Sequence, residues 1–120
     1  MLIEDIGVPR SRLGEAIDAI ASIGSVHGVK IFVFGHAADG NLHPIILLDG
    51  DEISDAVWAA AGEIFTLALH LGGTLTGEHG IGLLKRAWLR DELGPVSFDL
   101  QHSIKELLDP RDLLNPGKAI

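Results

Sequence analysis

Two long stretches of the chain place apolar side chains three or four positions apart, which is the spacing of one face of an α-helix. The first follows Ser11, a residue type that caps helix N-termini, and stops at Gly24. The second runs from Ile53 to Leu71 and ends at the glycine pair that follows. The pattern predicts two helices, each of which buries one apolar stripe.

A β-hairpin is predicted between these helices, from about residue 30 to residue 48. Short apolar runs at 31–34 and 44–48 flank Asp39-Gly40, a pair that strongly favours a hairpin turn. A two-residue turn centred on that pair would make His36 and His43 directly opposed partners, with Cβ atoms about 4.5 to 5.5 Å apart. A register slip of one residue would place the two imidazoles on opposite faces.

Weaker patterns at both ends of the chain complete the predicted fold. Residues 2–6 read as a strand, and a further short strand is predicted near 74–76. Helical spacing returns at 83–88 and at 95–108, where Asp109-Pro110 ends it before an Asn-Pro-Gly turn. The order predicts an α+β class: a ferredoxin-like antiparallel sheet with helices packed on one face, plus C-terminal helices.

Composition narrows the function classes. The 120 residues are 47% hydrophobic and 22% charged, as expected of one packed globular domain. A formal net charge of −8 opposes attraction to phosphate backbones, so no nucleic-acid partner is expected. Because the chain has no cysteine, any metal site must use histidine and carboxylate ligands.

Neither a transmembrane segment nor a targeting signal is expected. No apolar run approaches the roughly 18 residues that span a bilayer, and no basic segment precedes an apolar one at the start. These features predict a soluble, cytoplasmic protein. A strand that begins directly after Met1 also indicates a fragment of a longer polypeptide.

A second motif adds a carboxylate to the two histidines. Glu78-His79 lies within a glycine-dense segment, residues 72–82, where the backbone can approach a ligand closely. Two histidines with Glu78 suit Zn²⁺ with an open coordination position, ahead of octahedral Mn²⁺ or Fe²⁺. The alternative is that His36 and His43 only decorate the exposed face of a hairpin.

Three ordered motifs resemble the C-terminal domain of FAD-linked oxidases. That family includes glycolate oxidase FAD-binding subunits, D-lactate dehydrogenases and D-2-hydroxyglutarate dehydrogenases. The motifs are residues 35–43, residues 77–82, and Asp109-Pro110 with residues 114–118. The resemblance extends over nearly all of residues 1–120 and implies that an FAD-binding domain precedes this portion in full-length members. Nothing resembling that domain is present in the chain.

The resemblance implies a role for each residue of the first two motifs. His36, His43 and Glu78 match the ligands of a divalent metal, and His79 matches the catalytic base. The implied reaction oxidises a small D-2-hydroxy acid to the 2-oxo acid, with the hydroxyl proton leaving to His79 and hydride passing to FAD. Glycolate, lactate and 2-hydroxyglutarate all remain open as substrates.

Other residues of the motifs are candidates for binding. Asn41, near the hairpin tip, and Lys118 are candidate substrate contacts, and Asn115 is a candidate cofactor contact. Ala38 departs from the family, which usually has glycine there. If that turn position needs a positive φ, alanine would be strained.

Two other functions stay open. One is a stand-alone metallohydrolase, in which His79 or Glu63 is the general base. The other is a ferredoxin-like ligand-binding or dimerisation module without catalysis, in which an exposed sheet edge pairs with another chain to form a homodimer. His27, His70 and His102 are expected to have structural roles.

Overall fold

The computed structural model describes residues 1–120 and contains an open antiparallel sheet of four strands with three helices. The predicted α+β class is confirmed. The chain forms two compact units, Met1–His79 and Gly80–Ile120. None of its helices combines the length and apolar character needed to cross a membrane. In chain order the elements are β1 (Leu2–Ile3), β2 (Ile6–Gly7), a 3₁₀ turn (Arg10–Arg12), α1 (Leu13–His27), β3 (Ile31–His36), β4 (Asn41–Ile46), α2 (Asp55–His70) and α3 (Arg86–Leu108).

The sheet of the first unit is built around β4. Strand β3 pairs with β4 along its whole length on one side, while β1 and β2 share the other side. Gly7 at the end of β2 forms an isolated bridge with Thr74, where a short strand was predicted. All pairings are antiparallel, as the ferredoxin-like plan requires.

The two faces of the sheet differ in burial. Leu42 and Ile46 of β4 are buried, together with Ile6 of β2, and form the core under α1 and α2. On the opposite face Phe32 and Phe34 are 54% and 63% exposed. Alternation along a strand therefore places the helices on one face and leaves the other open.

Helix α1 differs from its prediction at both ends. It begins at Leu13 after the 3₁₀ turn, without a side-chain cap from Ser11, and continues past Gly24. A Cβ on Gly24 would lie 3.0 Å from the Val29 carbonyl oxygen and 3.2 Å from the Ile31 side chain. The glycine thus permits close packing on β3, and Gly28, with φ of 67°, ends the helix instead.

Helix α2 follows its prediction closely. The Ser54 hydroxyl caps its start by accepting a hydrogen bond from the Val57 N–H at 3.4 Å. It ends at His70, and Gly72 with φ of 77° turns the chain away. Six residues of its apolar face are buried, namely Val57, Ala60, Ala61, Ile64, Phe65 and Ala68.

Helix α3 of the second unit is two helical segments joined at a kink. Gly94 has φ of 69° and ψ of 166°, outside the helical region, and Pro95 follows it. This matches the two predicted stretches of helical spacing, although the first begins at Arg86 and not at residue 83. The helix ends before Asp109, as predicted.

The carboxylate of Asp109 organises the turn after α3. It accepts hydrogen bonds from the N–H groups of Leu113 at 3.0 Å and Leu114 at 2.8 Å, and it pairs with the Lys105 ammonium. The Lys105 hydrogen bond, aided by the two backbone N–H groups, lowers the pKa of Asp109 from 3.8 to about 2.

Because the fold lowers this pKa, the ionised carboxylate stabilises the folded state above about pH 4 and loses that effect as the pH falls toward 2. We expect Asp109→Asn to be less stable than the unmodified chain at pH 5, with a difference that shrinks between pH 4 and pH 2. Urea unfolding of both chains from pH 2 to 5 measures this. A difference independent of pH would contradict the assignment.

Candidate metal centre

The hairpin turn is longer than predicted, and the predicted pairing of the two histidines is wrong. His36 pairs with Asn41, and His43 pairs with Phe34. The turn occupies residues 37–40, where the His36 carbonyl accepts hydrogen bonds from the N–H groups of Asp39 at 3.3 Å and Gly40 at 3.0 Å. The Asp39 carboxylate also accepts from the Asn41 N–H at 3.0 Å, which favours the four-residue turn.

The two histidines nevertheless share one face of the sheet. The observed register moves each partner by two residues from the predicted one, and a shift of two keeps every side chain on its face. The imidazole centroids of His36 and His43 lie 5.4 Å apart in an edge-to-face arrangement. Both lie on the face of the sheet opposite α1 and α2.

Ala38 is accommodated without strain. The only residue of this turn with positive φ is Gly40, at 83°, so the position occupied by alanine does not need glycine. A Cβ on Gly40 would lie 2.0 Å from the Val8 carbonyl oxygen. The turn therefore depends on Gly40 and tolerates Ala38.

A loop at residues 77–79 brings the carboxylate of Glu78 to the histidines. The loop lies so close to Asn41 that a Cβ on Gly77 would be 2.5 Å from the Asn41 amide oxygen. The Glu78 oxygens lie 3.4 Å from His36 Nε2 and 3.8 Å from His43 Nε2. One ligand atom from each of the three side chains lies within 4.8 Å of the other two.

The two distances from Glu78 are in the range expected for ligands of one divalent cation. Two ligands at about 2.1 Å from one ion and at the tetrahedral angle are about 3.4 Å apart. The His36 and Glu78 side chains are 55% and 50% exposed, whereas that of His43 is 16% exposed. The donor set is thus one that Zn²⁺ accepts, with one side open for a further ligand.

His79 lies beside this donor set. Its ring stacks on that of His43, with centroids 5.2 Å apart and planes 24° from parallel. Its Nδ1 atom is 3.6 Å from an oxygen of Asp5, a fully buried carboxylate. Sequence reasoning missed Asp5, although an acidic pair inside an otherwise apolar N-terminal strand was a signal for it.

Asn41 borders the same site. It is 5% exposed, and neither its amide oxygen nor its amide nitrogen has a hydrogen-bond partner within the protein. Buried amides are usually paired, because leaving one unsatisfied costs free energy. Asn41 therefore has hydrogen-bonding capacity on the face that carries the histidines.

The two candidate residues of the C-terminal tail lie in the second unit. Asn115 and Lys118 are both exposed, with Lys118 Nζ 3.5 Å from the Asn115 amide oxygen. Arg86 donates to the Gly117 carbonyl at 3.0 Å, which holds the tail against the start of α3. Their binding roles stay predictions.

Glu63 is not part of the histidine cluster. Its carboxylate lies 2.7 Å from His27 Nε2, which joins α2 to α1. It lines a groove of about 560 Å³ between those helices, together with Thr66 and His70. Glu63 is therefore not placed to act as the general base of the metallohydrolase alternative.

Sequence comparison identifies the class of domain that the chain represents. Residues 1–119 match the family described as FAD linked oxidases, C-terminal domain, and the chain belongs to that family. The resemblance inferred from the three ordered motifs is confirmed.

Named relatives cover almost the whole chain. It is 43% identical to glycolate oxidase subunit GlcD of Bacillus subtilis over 120 residues, which are 98% of this chain and 25% of that protein. It is 40% identical to a probable mitochondrial D-lactate dehydrogenase of Danio rerio over 97% of this chain and 24% of that protein. The D-lactate dehydrogenase of Archaeoglobus fulgidus is 37% identical over 97% and 26%. The chain therefore spans about a quarter of the length of these relatives.

Proposed function

We propose that this chain is the substrate- and metal-binding domain of an FAD-dependent 2-hydroxy acid dehydrogenase, which oxidises a D-2-hydroxy acid to the 2-oxo acid. The convergence of His36, His43 and Glu78 beside His79 carries the proposal. The names of the relatives support the substrate class, because glycolate and D-lactate are both small 2-hydroxy acids.

The chain's own residues supply binding and proton transfer. A bound divalent cation would act as a Lewis acid toward the 2-hydroxyl and carboxylate of the substrate, and FAD would accept the hydride. His79 faces Asp5 through Nδ1, so its Nε2 is the atom that accepts the hydroxyl proton. Asn41 offers its amide as a substrate contact on the same face.

The rest of the site is proposed to come from outside this chain. The Glu78 side chain is half exposed at the open face of the sheet. We propose that an FAD-binding domain of the same polypeptide covers this face. Asn115 is proposed to contact the cofactor and Lys118 the substrate, and without FAD the chain alone is expected to be inactive. We propose Zn²⁺ as the bound metal, ahead of Mn²⁺ and Fe²⁺. The cytoplasmic location and the homodimer stay predictions.

Metal titration of this chain tests the ligand assignment. We expect His36→Ala to weaken Zn²⁺ binding at least about 100-fold. Loss of a residue that only hydrogen-bonds to a metal ligand already costs about 10- to 100-fold in affinity. Isothermal titration calorimetry measures the affinity. His70→Ala is the matched control, since it removes an exposed histidine at the end of α2, and it should bind Zn²⁺ normally. Undiminished binding by His36→Ala would refute the ligand set.

A further inference from the structure

A buried carboxylate lies in a gap between the first two strands. Residues Glu4 and Asp5 separate β1 from β2, and the Glu4 N–H donates to the Pro44 carbonyl at 3.0 Å. Proline has no N–H to return that hydrogen bond, so the ladder is interrupted here. Continuing the register on either side places Asp5 opposite His43, on the face that carries the histidines.

The Asp5 carboxylate holds the loop that carries Glu78 and His79. Its Oδ2 atom accepts hydrogen bonds from three consecutive backbone N–H groups, those of Gly77 at 2.6 Å, Glu78 at 2.6 Å and His79 at 3.1 Å. The Thr76 hydroxyl donates to the same oxygen at 2.9 Å. Successive N–H groups that converge on one point form a concave site for an anion, and here a side chain of the protein fills it.

The loop that carries Glu78 and His79 has no regular secondary structure of its own. Between the bridge at Thr74 and the start of α3 no residue belongs to a helix or a strand. Because a Cβ direction follows from the peptide planes on either side of it, the three N–H bonds to Asp5 also aim the side chains of Glu78 and His79. Charge-assisted hydrogen bonds are about twice as strong as neutral ones, so a buried carboxylate suits this task.

We propose that Asp5 is a positioning residue, which fixes Glu78 for metal binding and His79 for proton transfer without touching the substrate. The inference rests on the proposed function, since it assumes that Glu78 is a metal ligand. It assigns a role to the first strand, which lies more than 70 positions from the loop in sequence. An uncharged side chain of the same shape should hold the loop less well.

Cobalt titration of Asp5→Asn tests the proposal. Co²⁺ is the probe, because its visible absorption reports both affinity and coordination geometry. We expect Asp5→Asn to bind Co²⁺ about 10- to 100-fold more weakly than the unmodified chain. This is the loss of affinity typical when a residue that hydrogen-bonds to a metal-binding residue is replaced. We also expect an altered absorption spectrum at saturation, which a general loss of stability would not produce.

Asp109→Asn is the matched control. Asp109 is likewise a buried carboxylate that accepts consecutive backbone N–H groups, but it organises a turn in the second unit. Its loss should lower the unfolding temperature and leave Co²⁺ affinity and spectrum unchanged. Asp5→Asn with unchanged affinity and spectrum would overturn the positioning role.

A second variant decides the question if Asp5→Asn does not fold. Thr76→Val removes one donor to the Asp5 carboxylate and keeps the backbone contacts. We expect it to weaken Co²⁺ binding by several-fold, and an unchanged affinity would overturn the proposal. Failure of the unmodified chain to bind Co²⁺ through His36 would instead refute the metal site itself, so the two failures are distinguishable.

Discussion

Replacing His79 with alanine is expected to abolish most turnover while metal affinity stays within a few-fold of the original. His79 is the proposed base, and positioned proton transfer typically contributes 10²- to 10⁴-fold to a rate. Its ring stacks on His43 but it is not one of the three side chains proposed as metal ligands, so the metal should remain bound. The measurement is steady-state reduction of a dye by glycolate or D-lactate, with this domain joined to its FAD-binding domain, alongside metal analysis.

His70→Ala in the same polypeptide controls for loss of a histidine elsewhere, because His70 is exposed at the end of α2. It should retain turnover. Normal turnover by His79→Ala would remove the base assignment, whereas loss of metal from that variant would mean that His79 is a ligand.

Replacing Gly40 with alanine is expected to destabilise the first unit by about 2 to 5 kcal/mol. A left-handed conformation costs a residue with a Cβ about 1 to 2 kcal/mol. The new methyl group would also lie 2.0 Å from the Val8 carbonyl oxygen, and overpacking of this kind costs about 1 to 3 kcal/mol more. Urea denaturation followed by circular dichroism measures the change.

Gly50→Ala separates the two contributions. Gly50 also has positive φ, at 101°, but no atom lies within 4 Å of the position that its Cβ would occupy. It should therefore cost only the conformational part, about 1 to 2 kcal/mol. Equal destabilisation by the two substitutions would show that the contact of Gly40 with Val8 is unimportant.

Local pattern determined most of the elements of this protein. Helical spacing identified α2 and both parts of α3, since an apolar stripe must recur with the period of the helix. Short apolar runs on either side of Asp39-Gly40 identified the hairpin, and with it the shared face of His36 and His43. The predicted turn length was wrong, but the two histidines still share a face because side chains repeat every two residues along a strand.

Only the tertiary structure decided how the site is assembled. Gly24 reads as a helix end in sequence, yet its role is set by Val29 and Ile31 packed against it. The role of Asp5 depends on two other parts of the fold. Pro44 interrupts the hydrogen-bond ladder beside it, and the loop at 76–79 donates backbone N–H groups to its carboxylate. Spacing and propensity describe contacts between neighbours in sequence, whereas the hydrogen bonds that place Glu78 beside two histidines join residues more than 70 positions apart.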